Sequence, residues 1–167
     1  SALVDETADA YRALDPSGRI PWAGPSMSAR SAISARQMET WAHGQEVFDI
    51  LGVAREERDH IRNIVVLGIN TYGWTFKVRG EAPPGPMPPV ELTSPSGALW
   101  TYGEPQEGSV IRGEAVEFAQ VVTQTRNIAD THLTVVGECA SRWMQNAQCF
   151  AGSANPPPAQ GSRFKTE

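Results

Sequence analysis

Leu3, Thr7, Ala10, Tyr11 and Leu14 follow helical spacing from the first residues, until Asp15-Pro16-Ser17-Gly18 interrupts the pattern. A loop over 19–27 carries two further prolines. Beyond it Ala29, Ala32, Ile33, Met38, Trp41, Ala42, Phe48 and Leu51 form a broad apolar face. That face predicts a second helix over 28–51, with Ser28 as N-cap and Gly52 as terminator. Residues 56–79 predict a third helical stretch, apolar at Ile61, Ile64, Val65, Leu67, Ile69, Trp74 and Phe76. Gly68 and Gly73 lie inside it, each costing about 1 kcal/mol against alanine, which points to tight packing against a neighbour.

The run Ala82-Pro83-Pro84-Gly85-Pro86-Met87-Pro88-Pro89 ends regular structure and reads as a stiff extended connector. After it the pattern changes period. Val90-Glu91-Leu92-Thr93 and Ala98-Leu99-Trp100-Thr101-Tyr102 predict strands joined through Ser94-Pro95-Ser96-Gly97, and Ser109-Val110-Ile111-Arg112 predicts a third. Gly113 then turns the chain into a helix over 114–126, Leu133-Thr134-Val135-Val136 gives a fourth strand, and a last helix covers 138–150. The fold class is α+β: a helical bundle part over 1–52, a module over 53–152 of a few antiparallel strands with helices on one side, and a tail over 153–167 held only by local contacts.

Composition narrows the function. A chain of 167 residues with 40% hydrophobic content can build one or two small cores, and no apolar run is long enough to span a membrane. A formal charge of −5, with 14 Lys and Arg scattered along the chain, argues against a nucleic-acid partner. Cys139 and Cys149 make no disulfide framework. On one helix over 139–150 they would stand about 15 Å apart along the axis, so they read as reduced core thiols of a cytoplasmic protein. A catalytic thiol is the lesser reading, because Arg142 is the one basic residue near them in sequence.

The candidate chemistry lies in the second helix. Glu39 and His43 are four residues apart, so a carboxylate and an imidazole share one face, a donor pair suited to Zn²⁺ or another borderline divalent cation. On spacing alone a solvated ion pair is the commoner arrangement. The small residues Ala32, Ala35 and Ala42 near the pair allow close approach of neighbouring helices and favour a bundle interior. His60, beside Asp59 and Arg62, reads as a solvated residue at a helix start.

The wider sequence resembles a known family. Pro21-Trp22-Ala23-Gly24-Pro25-Ser26-Met27-Ser28 and Arg36-Gln37-Met38-Glu39-Thr40-Trp41-Ala42-His43-Gly44-Gln45 resemble the actinobacterial relatives of mycothiol-dependent maleylpyruvate isomerase, in the DinB-like metal-binding superfamily. Trp100-Thr101-Tyr102-Gly103, Val121-Val122-Thr123-Gln124 and Ala147-Gln148-Cys149-Phe150-Ala151-Gly152 extend the likeness over nearly the whole chain. The resemblance implies a partial DinB-like bundle in which Glu39 and His43 are two metal ligands, with Glu46 as a supporting carboxylate behind them. It implies a third ligand, a histidine from an earlier helix that has no counterpart here, so the chain reads as the later two-thirds of a longer protein. It also implies that Arg126, near the end of the corresponding helix, contributes to the active site. Against that stand the missing family glycine before it and the structural use of an arginine at a helix end.

Two functions follow. One is a divalent-metal enzyme, a thiol-dependent (mycothiol-type) isomerase or transferase, in which a low-molecular-weight thiol attacks a small electrophilic substrate. The other is a non-catalytic metal-binding or structural protein of the same fold. In either case Met38, Trp41 and Phe48 outnumber what one short preceding helix can cover. An N-terminal segment, a companion fragment or a homo-oligomer partner is expected over that bundle face.

Overall fold

Helix α2 (Ala29–Leu51) organises the structure, and both of its ends are where the sequence puts them. Ser28 is extended, at φ −64° and ψ 152°, and its hydroxyl accepts from the Ser31 N–H at 3.1 Å. Gly52 takes the left-handed conformation, φ 64°, that lets the chain leave the helix without a Cβ clash. A computed structural model describes residues 2–21 and 26–163. Residues 22–25, within the first family-like motif, and the last four residues of the expected tail lie outside them.

Before α2, helix α1 (Ala2–Arg12) buries none of its residues, and a two-residue antiparallel pair, β1 (Arg19–Ile20) with β2 (Met27–Ser28), leads into α2. After α2 the chain folds back along it. The expected stretch over 56–79 resolves into a 3₁₀ turn at Asp59–Ile61, α3 (Arg62–Asn70) and α4 (Tyr72–Lys77). The break falls at Thr71, whose hydroxyl bonds back to the Leu67 carbonyl at 2.8 Å.

By this return the chain itself covers Met38 and Trp41, two of the three residues over which a further segment or partner is expected, while Phe48 stays half-buried. Met38 and Trp41 are buried in one continuous core with Ile61, Ile64, Val65, Phe118 and Trp143. Trp41 donates its indole N–H to the Glu57 carboxylate at 3.0 Å, and the Arg55 guanidinium covers its ring at 5.2 Å. Burying a side chain of Met38's size contributes about 1.5–3 kcal/mol, so the inner face of α2 is satisfied without help. Ile33, Val47, Ile50 and Leu51 remain exposed, with Leu3 and Val4 of α1.

The α+β class is as expected. The larger sheet comprises β3 (Val90–Thr93), β4 (Leu99–Tyr102), β5 (Val110–Glu114) and β6 (Thr134–Val136), in the order β4-β3-β5-β6. It is mixed rather than wholly antiparallel. Val90 pairs antiparallel with Tyr102 on one side and parallel with Ile111 on the other. The β4 hairpin and the loop behind it act as the crossover that a parallel pair requires. Val90, Leu92, Trp100 and Ile111 face the helices, whereas Glu91, Thr101 and Arg112 line the outer face.

Against the inner face lie α5 (Ala115–Val122) and α6 (Glu138–Asn146). Both are shorter than expected. Gln124 turns left-handed at φ 57° just after α5, and Ala147 goes extended after α6, so that the Cys149 N–H reaches the Val122 carbonyl at 2.9 Å. Cys149 therefore lies off the helix and is buried, while Cys139 is half-buried at the start of α6; both are free thiols. The Trp143 ring meets Tyr72 and Phe118 edge-on, at centroid distances of 5.0 and 5.8 Å. Gly68 fulfils the close-packing expectation: a Cβ there would stand 2.8 Å from a Val122 methyl. Gly73 does not, since a Cβ there would meet nothing within 4 Å.

The segment after residue 152 is tied to the body and not held only by local contacts. Asn155 bonds with Gln124, Gln148 and Arg79, Pro158 accepts from Asn127, the Gly161 N–H donates to Asp130, and Arg163 pairs with Glu46. Of the side chains it meets, the amides of Gln124 and Gln148 are buried and need partners, which Asn155 supplies.

Candidate functional site

Glu39, His43 and Glu46 lie on successive turns of α2, at the edge between its buried and its outer face. The His43 Nε2 atom stands 3.7 Å from a Glu39 oxygen, and its Nδ1 atom 3.5 Å from a Glu46 oxygen, so the imidazole sits between two carboxylates. Its side chain is 75% exposed and that of Glu39 48%. These groups form one wall of a cleft of about 270 Å³. Thr123, Gln124 and Thr125, at the end of α5, supply a second wall, and Phe150, Asn155, Pro156, Pro158 and Arg163 a third.

The second wall is held by its own chemistry. Thr123 donates to the Ala119 carbonyl at 2.8 Å and Thr125 to that of Gln120 at 3.3 Å, ending the helix. Gln124 adopts a left-handed backbone that costs a non-glycine residue about 1–3 kcal/mol. Its buried amide offsets that cost: Nε2 donates to the carbonyls of Ala147 and Asn155 at 3.0 and 2.9 Å, and Oε1 accepts from Asn155 Nδ2 at 3.1 Å.

The donor pair fits part of a metal shell. A tetrahedral zinc ion holding one oxygen and one imidazole nitrogen sets them about 3.4 Å apart, close to the observed separation of 3.7 Å. Glu46 lies where a carboxylate would fix the other ring nitrogen of a ligating histidine. Among the described residues no group of three or more His, Cys, Asp or Glu side chains is placed to hold an ion.

Arg126 is not in this cleft. It lines a neighbouring hollow of about 320 Å³ with Gln45, Asp49 and Gln120. There it makes a two-pronged bond to Asp49, at 2.5 and 2.6 Å, and donates to the Thr125 carbonyl at 2.7 Å. His60 is exposed, and its carbonyl accepts from Gln37 at 2.9 Å. Neither thiol is set up as a nucleophile in the cleft. Burial, and secondarily the charge of Glu39, pushes the Cys149 thiol far above its ordinary range, and Cys139 Sγ lies 2.8 Å from the Tyr72 hydroxyl, on α4. A larger hollow of about 660 Å³ on the outer face of the sheet is lined by Thr101, Tyr102 and Gly103 of a family-like motif, but by none of Glu39, His43, Glu46 and Arg126.

Sequence reasoning passed over Gln124, Asn155 and Arg163 as parts of the cleft. Gln124 stood in a family-like motif and could have been found there. The other two lie in a proline-rich stretch with no periodicity to place it.

Residues 1–48, the segment that contains Glu39, His43 and Glu46, match the family model described as mycothiol maleylpyruvate isomerase N-terminal domain. Over that segment the chain is similar to the mycothiol maleylpyruvate isomerase family. It is also 43% identical over 147 residues to two uncharacterized proteins of Mycobacterium tuberculosis, one from strain CDC 1551 and one from strain H37Rv. The aligned region is 87% of this chain and 56% of each of those proteins, so the chain spans little more than half the length of the relatives it matches. No solved structure matches the chain. No helix among its described residues is long and apolar enough to cross a membrane.

Proposed function

We propose that this chain is the metal-carrying part of a thiol-dependent isomerase or transferase that acts on a small electrophilic substrate. The observation that carries the reading is the placement of Glu39 and His43, one turn apart with donors 3.7 Å from each other on a cleft wall, inside the segment that matches the isomerase family. A divalent cation there would supply Lewis acidity and keep a small thiol deprotonated at neutral pH. Glu39 and His43 would hold it, Glu46 would orient the imidazole through Nδ1, and the walls of Thr123–Thr125 and Asn155–Pro158 would confine the reactants. A third protein ligand is needed to complete such a shell.

The partners in this reading are a small-molecule substrate and a low-molecular-weight thiol, in the cytoplasm where thiols stay reduced, with no nucleic acid and no membrane. Two free cysteines and a net charge of −5 support it. The exposed apolar positions of α1 and the outer face of α2 would be covered by further helices, from a longer protein, a companion fragment or a second copy. Light scattering is the check, and a clean monomer of 18.1 kDa would count against that cover.

Zinc titration followed through the ring signals of His43 tests the metal. The wild-type ring should respond to zinc, and Glu39→Ala should weaken that response by at least about tenfold, because one ligand in two is lost. An unaltered response in Glu39→Ala would refute the site. The exposure of the two side chains favours a second reading, a non-catalytic metal-binding or structural protein. Zinc uptake with no thiol-dependent turnover on any unsaturated dicarboxylate would select it.

A further inference from the structure

We propose that Arg163 is the group with which the cleft recognises a carboxylate of its substrate, an assignment that rests on the function proposed for the same cleft. The hydroxyls of Thr123 and Thr125 are engaged by the carbonyls that end α5, and Gln124 Nε2 is engaged twice. Among the described residues, His43 and Arg163 are the basic side chains that line the cleft. Arg126 faces the neighbouring hollow.

Arg163 is held in place and still exchangeable. The backbone just before it is anchored, with the Gly161 N–H 3.0 Å from both Asp130 oxygens and the Pro158 carbonyl accepting from Asn127 at 2.8 Å. Its own bond runs from one nitrogen, Nη1, to Glu46 at 2.8 Å, in a pair whose side chains are 38% and 40% exposed. A half-exposed, single-pronged pair is weak and can give way to a ligand carboxylate, for which the guanidinium fork offers two parallel N–H groups. The pair of Arg126 with Asp49 is two-pronged and buried, so it cannot exchange in this way.

Charge makes the exchange conditional. Without an ion the carboxylates of Glu39 and Glu46 repel an anion from the cleft. A divalent cation held by Glu39 and His43 would offset both, so an anionic ligand should bind Arg163 more weakly without the metal and more tightly with it. Glu46, released from Arg163, then turns its full charge toward His43 Nδ1.

The test uses the full chain with succinate as an unreactive dicarboxylate and succinamide as its neutral counterpart, each titrated with and without zinc and read from the His43 ring and Arg163 Nε–H signals. Wild type with zinc should bind succinate, Arg163→Ala should weaken it about 10- to 100-fold, Arg163→Lys should lie between, and zinc affinity should be the same in all three. Equal succinate affinity in Arg163→Ala overturns the proposal. So does zinc uptake without succinate binding in wild type, or an equal loss for succinamide, which would make the effect one of shape. If zinc does not bind, the metal reading fails by itself and the zinc-free titration decides: an Arg163-dependent shift supports the assignment, and none overturns it.

Discussion

Replacing Arg126 by alanine separates a substrate-binding role from a structural one. The guanidinium and Asp49 are joined by bonds of 2.5 and 2.6 Å, with side chains 6% and 14% exposed, and they tie the segment after α5 to the far end of α2. Removing one member of a buried pair leaves the other charge unpaired at a cost of about 3–5 kcal/mol. Asp49 retains some exposure and still accepts from Gln45 Nε2 at 2.9 Å, so the expected loss is at the lower end, about 3 kcal/mol. A role limited to the dipole of α5 would cost less than about 1 kcal/mol.

Urea unfolding followed by circular dichroism measures the loss, and a double-mutant cycle with Asp49→Ala isolates what belongs to the pair, since Arg126 also donates to the Thr125 carbonyl. A coupling of at least about 1.5 kcal/mol is expected, with each single variant costing more than half of the double. A loss under about 1 kcal/mol with no coupling, together with a kcat/KM lowered by about 10²-fold, would refute the structural assignment and return Arg126 to the active site.

Other outcomes are as specific. Gly68→Ala should destabilise the fold: the helix-propensity gain of up to about 1 kcal/mol is outweighed by a Cβ 2.8 Å from Val122, a crowding that costs about 1–3 kcal/mol, and a raised melting temperature would show that α3 and α5 can separate freely. In native protein at mildly alkaline pH, iodoacetamide should label Cys139 well before Cys149, whose buried thiol stays protonated; mass spectrometry showing equal labelling would contradict the packing around Val122. The Ser96 hydroxyl and N–H, at 2.7 and 3.0 Å, hold the Asp59 carboxyl below its ordinary value of 3.8, so its contribution is present above that pH and fades as acid goes below it. The stability gap between wild type and Asp59→Asn should therefore close in acid, and a gap independent of pH would exclude the bond.

The bundle part was the most legible region, because its signals are local. Ser28 and Gly52 bound α2 through chemistry that needs only neighbouring residues, and the spacing of Glu39, His43 and Glu46 fixes a shared face wherever the helix packs. The parallel pairing of β3 with β5 was not legible, since alternation fixes which face a residue takes and not the direction of its neighbour. Helix ends in the second half were misread where distant contacts set them: α5 stops because the Gln124 amide is captured by Asn155 and Ala147, residues remote in sequence. Arg126 stands in a motif at a helix end, and nothing in that motif indicates its bond to Asp49, on a helix remote in sequence.

The contacts of Gln124 with Asn155 converge on the cleft. One wall is a helix that folds on local rules, and the other two are a strained turn and a segment without regular structure, each of which needs the other. The left-handed backbone of Gln124 is held by Asn155, and Asn155 is held by Gln124, Gln148 and Arg79, so the two walls form together. Their polar groups are bound mostly to one another, which leaves the surface toward His43 poor in free donors and makes the side chains of α2 and the single arginine of the last segment the groups able to act on a ligand. The helix thus carries the candidate chemistry, and the C-terminal contacts build the other two walls of the open cleft beside it.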